Sequence, residues 1–350
     1  MIAQLSINRA PFLIGDVLLS SETIRGVKVN LPLVGDINQI LADRGFAFEV
    51  GLAQKINIIN KRVVVGWSGQ AVQAEKALRV LTAISDRPML DADRVIDELK
   101  AISHEIDQLQ LVGLVLGERQ GSIVNYSCFA IGVPAKHAPN FGSVRVAGSG
   151  CDAFLSLLQK AAWTSDKSAG EFQVAHGLLA ALTNEEFRTG STIANRWGGG
   201  FEALVYSPQA ERFEKVGDVL HTFWRTSEKP GGSLDMFPYF YKTTYWNDAL
   251  ILRTATLDFE RARLVSNDTT LVPPLLKRVE DYDLTQLSVV DFGYRAVCCH
   301  VLIEKQHNRD VLYLVDQHAA EQAVWLEVIG VGASLRISDY LPNIIREQLS

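Results

Sequence analysis

The chain has 350 residues, 47% of them hydrophobic and 21% charged, which excludes wholesale disorder and supplies enough apolar material for a large core without disulfides. At about 150 residues per domain this length corresponds to roughly two domains. The formal charge of −6, from 34 basic and 40 acidic residues, comes with no run of like charge and argues against a general nucleic-acid-binding surface.

No apolar run reaches the roughly 18 residues needed to span a bilayer. The opening MIAQLSINRAPF lacks the basic-then-apolar order of a secretory signal. The four cysteines (Cys128, Cys151, Cys298 and Cys299) show no CxxC spacing, and two are adjacent. That usage suits neither a disulfide framework nor a zinc site, so a reducing cytoplasm is the expected setting.

In chain order, Ile2–Ile7 alternates apolar and polar residues, Asn8-Arg9-Ala10-Pro11 supplies turn chemistry, and Phe12–Leu19 is strongly apolar. These predict two strands around a turn. Residues 21–45 read as a loop with room for a short helix. Ala53–Ile59 and Val63–Gly69 form a second pair of strands broken at Asn60-Lys61-Arg62. A helix opens near Gln70, with Ala71, Ala74, Ala77, Leu78 and Leu81 on one stripe. A second amphipathic helix spans Arg94–Ile106. Strands return at Leu111–Val115, Gly121–Cys128 and Ser143–Ala147. Gly148-Ser149-Gly150 then launches a helix through Ala161, and another runs from Phe172 to Leu182. The glycine-rich Trp197-Gly198-Gly199-Gly200 precedes a strand at Phe201–Tyr206. Beyond residue 208 the chain is β-rich with a helical end. Strands are expected at Arg212–His221, Ala249–Thr256, Arg295–Ile303 and Val311–Val315. The order of sheet, helices, sheet, helices, sheet predicts an α+β layered arrangement rather than alternating βαβ units.

One ordered set of residues carries chemistry. The leading hairpin ends in Gly15-Asp16. Lys55 lies on a later strand, fourteen residues before Gly69, and a helix follows that glycine directly. Gly148-Ser149-Gly150 precedes one helix, and Glu186-Phe187-Arg188-Thr189-Gly190 follows the next. Over residues 1–206 this set resembles the proteasome β-subunit and its simpler bacterial ring-peptidase relative, members of the N-terminal-nucleophile hydrolases. The resemblance implies a four-layer αββα sandwich over residues 1–208, followed by a β-rich extension over 209–350. It also implies a homo-oligomer stacked through helical layers, ring-like in the family, with a peptide or protein partner and no cofactor.

In that family the terminal residue's hydroxyl or thiol attacks an amide carbonyl with its own α-amine as base. A lysine and an aspartate tune the site, and a backbone N–H stabilises the oxyanion. By resemblance the assigned positions are Asp16, Lys55, Gly69, Ser149, Glu186 and Thr189, with Ser20 on the substrate-pairing strand. The departure lies at the start. In the family's register Met1 sits one residue past the nucleophile, and Ile2 is too large to favour removal of an initiator methionine. A thioether is no nucleophile at neutral pH, and Ser6, the nearest hydroxyl on the strand, has no α-amine beside it. The expectation is therefore a non-proteolytic scaffold or binding protein. The alternative is an active threonine- or serine-type peptidase or amidohydrolase generated by processing upstream of Ile2.

Plainer roles stand beside these. Asp16 reads equally as a turn carboxylate, Lys55 as a solvated edge lysine and Ser149 as a helix cap. Trp197–Gly200 reads as an unusual turn anchored by tryptophan, since no phosphate-loop lysine follows. The histidines His104, His176, His221 and His300 are scattered, and His300 with His307 makes no zinc pattern, so no metal is expected. Cys298-Cys299-His300 reads as buried strand residues rather than a nucleophilic pair.

Overall fold

A computed structural model describes the chain except for residues 8–9, 22–29, 32–34, 37–48, 121–122, 161–169, 190, 208–209, 228–232, 259, 262, 288–292, 305–308, 317–323, 330–331 and 350. The expected loop at 21–45 falls mostly outside the described residues. The fold is mixed α+β, built mostly on antiparallel sheets.

The leading hairpin consists of β1 (Ile2–Ile7) and β2 (Ala10–Asp16), paired with Ile2 opposite Gly15 and Leu5 opposite Phe12. It occupies the middle of a six-stranded sheet. Gly142–Ala147 and Ala135–Ala138 extend this sheet on one side, and Phe201–Ser207 and Arg212–Lys215 extend it on the other. The sheet thus continues past residue 208. The alternating pattern of β1 suggests one solvated face, yet Met1–Leu5 are all buried. Both faces are covered. Ala3, Leu5, Phe12 and Ile14 pack against helical residues, whereas Ile2 and Leu13 face a second sheet.

That second sheet has four strands, in the order Ile123–Ile131, Gln110–Gln120, Val63–Ser68 and Ile56–Ile58. Val64, Val112 and Leu114 meet Ile2, Leu13 and Leu204 of the first sheet. Val63, Val65 and Trp67 point the other way, into a core shared with α1 (Ala71–Ile84) and α2 (Ala92–Ala101). The stripe read from sequence, Ala74, Ala77, Leu78 and Leu81, is the buried face of α1. Helix α2 is shorter than expected. Asp91 caps its first turn by accepting from Arg94 N at 2.9 Å, and the chain tightens into a 3-10 turn at Ser103–Glu105.

On the far face of the first sheet lie α3 (Cys151–Lys160) and α4 (Glu171–Thr189), followed by the single turn α5 (Ser191–Ala194). Helix α4 runs seven residues beyond the expected end at Leu182, which brings Glu186 onto it. A third sheet, also six-stranded, packs against α4. Its order is Arg263–Val272, Ala249–Asp258, Leu234–Trp246, Val219–Ser227, Ala296–Glu304 and Arg309–Asp316. One pair, Val219–Ser227 with Ala296–Glu304, is parallel. The terminal helix α6 (Tyr340–Leu349) covers Leu220, Trp224 and Val297 through Leu341 and Ile345.

The single strand expected at Arg212–His221 is two, separated at Asp218, whose φ of +57° turns the chain between sheets. Two further strands, Leu234–Trp246 and Arg263–Val272, carry no clear signal. The first has Pro238 at its centre, accommodated where the pairing with Val219–Ser227 shifts register between Thr222 and Trp224. Among the described residues, no helix is long and apolar enough to cross a membrane.

Where the third sheet meets α4, His221 Nδ1 and His300 Nε2 lie 2.9 Å apart, buried, with their rings stacked. His300 Nδ1 has no hydrogen-bond partner. Burial holds His300 down to about 3 and His176 of α4 to about 4, and it keeps His221 well below the usual histidine range. All three are neutral in the fold, and stability is lost as pH falls through the unfolded value near 6.5 toward the folded ones. Between pH 7 and 5 each member of the pair costs about 2 kcal/mol. Replacing both (His221→Phe with His300→Phe) is therefore expected to flatten the loss of urea-unfolding free energy over that range. An unchanged pH slope would contradict burial of the neutral pair.

Candidate active site

The site is built around one carboxylate. Asp16 closes β2, opposite Phe201 in the sheet, and its side chain is fully buried. One oxygen, Oδ2, accepts from the Met1 α-nitrogen at 3.0 Å and from Gly198 N at 2.9 Å. The other, Oδ1, takes the Lys55 ammonium in a direct ion pair. Asp16 N also donates to Met1 O at 3.1 Å, so the head of β1 is held by both backbone and side chain of the same residue.

Lys55 is steered by a second carboxylate that the sequence reading missed. Glu202, fully buried on the strand Phe201–Ser207, accepts from Lys55 N at 2.6 Å and Ile56 N at 2.7 Å. Its other oxygen binds the Lys215 ammonium at 2.5 Å. Trp67 N donates to Lys55 O at 3.0 Å and ties this segment to the next strand. Lys55 is therefore a buried, paired lysine and not a solvated edge residue. The available signal for Glu202 was a lone carboxylate inside the apolar run Phe201–Tyr206.

Glu186, on α4, accepts from Gly199 N at 2.8 Å and from Thr192 Oγ1 at 3.3 Å. Burial pushes its carboxyl up to about 7, and the nearby Asp16 charge adds to the rise. Consecutive amides of Gly198 and Gly199 thus serve two buried carboxylates. Gly198, Gly199 and Gly200 all have positive φ, and a side chain at Gly198 would run into Glu186 Oε2. The Trp197–Gly200 segment is the unusual turn that its glycines suggest. Two of its amides are already committed to protein carboxylates, which leaves them unavailable to a phosphate.

The turn before α3 wraps the first residue. A Cβ at Gly148 would lie 3.1 Å from Met1 Cα and 2.6 Å from Ser68 Oγ, and one at Gly150 would lie 3.0 Å from Met1 Cβ and 2.7 Å from the Trp197 ring. The glycines make this approach possible. Ser149 itself is exposed and donates to Arg196 O at 2.6 Å, on the outside of the turn. Its position fits a loop tether rather than a partner of Asp16. Gly69, also exposed, ends the strand Val63–Ser68 with φ of +120°, where any side chain would collide with Gln108 O. Ser20 is exposed on β3 (Leu18–Ser21), opposite Val50. Thr189 is the last residue of α4, and its side chain lies outside the described residues.

No protein-family model and no curated protein matches this chain. What the site can do must come from its geometry.

The Met1 amine is held down to about 5, from 8.0. Burial is the largest cause, Asp16 opposes it, and Lys55 adds to it. At neutral pH the group is an unprotonated amine against a carboxylate–ammonium couple. It could take up a proton, but Met1 offers only a thioether beside it, packed in the core with Phe154 and Trp197. Cys298 and His300 are both buried in the third sheet, and the His300 ring is stacked between His221 and Phe223. Burial raises the Cys298 thiol well above its ordinary value, the opposite of a nucleophile's tuning.

Removing one partner of a buried pair leaves an uncompensated charge and costs about 3–5 kcal/mol. Asp16→Asn is expected to lose that much in urea unfolding, because Lys55 is then stranded. Lys55→Met should cost less, since the amine is released to take a proton beside Asp16. The double variant should lose no more than Asp16→Asn alone, whereas strictly additive losses would show that the two side chains are uncoupled.

Proposed function

We propose that residues 1–208 form an αββα sandwich of the N-terminal-nucleophile type and that the protein is a non-proteolytic, self-assembling scaffold or binding protein. The reading of the layers is supported by two facing sheets, with α1 and α2 outside one and α3 and α4 outside the other. One observation carries the functional half. The residue at the head of β1 has its nitrogen on Asp16 and its side chain sealed in the core, about 1% exposed. A substrate carbonyl would need both an attacking oxygen or sulfur and a path to that nitrogen, and Met1 supplies neither.

The charged frame fits continued structural use. Asp16 collects three donors from three separate segments, so its loss would loosen the centre of the sheet even where no reaction runs. The neutral amine is the observation that favours the second reading, an amidohydrolase or peptidase matured by cleavage upstream of Ile2. Such an enzyme would already possess its base.

Two measurements on the natural protein separate the readings. Intact-mass spectrometry is expected to give Met1 as the first residue, and an epoxyketone or β-lactone probe is expected to leave the protein unlabelled, with no turnover across a broad peptide and amide panel. A mature terminus of Thr, Ser or Cys, or labelling that disappears in Lys55→Ala, would overturn the non-proteolytic reading.

A further inference from the structure

A cleft of about 840 Å³ opens between the hairpin that holds Ile56–Ile58, the strand Arg212–Lys215 and the third sheet. That volume suits a small organic molecule. Its apolar lining includes Ile58 and Leu276, each 41% exposed, together with Phe213 and the Tyr245 ring. Gly217 leaves room for that ring, since a Cβ there would lie 2.9 Å from Tyr245 Cδ2, and the Lys215 ammonium sits 5.5 Å from its centroid.

Two polar groups of the lining lack partners. Asn57, 7% exposed, has its amide nitrogen buried and unbonded, and the Tyr245 hydroxyl is in the same condition. Buried polar groups are normally satisfied. An amide nitrogen can only donate and a phenol can donate, so what both lack is an acceptor. The surrounding charge has the matching sign. Although the chain carries −6, five cations line the cleft (Lys61, Arg212, Lys215, Lys277 and Arg295). Four of them pair with Glu214, Glu202, Asp248 and Asp218, which leaves Lys61 without an ion pair among the described residues.

We propose that this cleft binds a small amphipathic organic anion. Its apolar body would lie against Phe213, Tyr245 and Leu276, and its acidic oxygens would accept from Asn57 Nδ2 and Tyr245 Oη under the pull of Lys61. The proposal is independent of how the Met1 site is read, because it uses none of the residues around Asp16.

The test titrates the full chain with 8-anilinonaphthalene-1-sulfonate and with N-phenyl-1-naphthylamine, a probe of similar body without the sulfonate. The sulfonate is expected to saturate one site and to bind at least about tenfold more tightly than the neutral probe. Lys61→Glu, an exposed change that leaves the fold intact by circular dichroism, is expected to weaken the sulfonate about tenfold and leave the neutral probe unaffected. Tyr245→Phe should weaken the sulfonate in the same selective way. Equal affinity for the two probes, no saturable binding, or a sulfonate affinity indifferent to Lys61→Glu would overturn the proposal.

Discussion

The Asp16 carboxylate, stripped of water, is the constraint around which the rest of the molecule is arranged. A buried carboxylate must be compensated, and here the compensation comes from three distant parts of the chain: the α-nitrogen of Met1, the ammonium of Lys55 and the amide of Gly198. Each of these donors has its own support. Lys55 is held in place through Glu202 and Lys215, and Gly198 can reach Asp16 only because three consecutive glycines accept positive φ. Glu186 shares that glycine turn and sits close enough to feel the Asp16 charge. The consequence is one connected polar core running through the middle of an apolar sheet.

The third sheet is joined to this core rather than appended to it. Val17, just past Asp16, packs with Phe223, Tyr241 and Leu252, and Gly200 approaches Leu252 so closely that a Cβ would lie 2.9 Å from its Cδ1. Helix α4 presents Phe187 to Phe223 at 4.4 Å between ring centroids while Glu186, its neighbour in sequence, turns to the glycine loop. Any partner or ligand that moves the third sheet therefore acts on the residues that surround the Asp16 carboxylate.

Much of the α+β plan was legible in the sequence because hydrophobic spacing reports burial directly. The stripe along α1, the leading hairpin and the paired strands around Asn60-Lys61-Arg62 all followed from it. Asp16 and Lys55 could be paired from their order relative to Gly69. Glu202 and Lys215 could not, because their importance depends on which strands become neighbours across the sheet. Alternation misled at β1, where Gln4 is buried despite being polar, since a central strand covered on both faces obeys no simple alternation. Pro238 concealed the long strand Leu234–Trp246, and only the register shift opposite it shows how the ring is tolerated. Gly148 and Gly150 outweigh Ser149 in the turn around Met1 for a steric reason that no motif displays.

The central claim is that the Met1 amine and the Lys55 ammonium are locked onto a water-excluded Asp16. Brief acetylation of the native protein with acetic anhydride at pH 7.5, followed by peptide mass spectrometry, addresses it residue by residue. The account predicts that Lys61 and Lys100 acetylate rapidly while the Met1 amine and Lys55 stay unmodified until urea unfolds the chain. Modification of Met1 and Lys55 at the rate of Lys61 would contradict it.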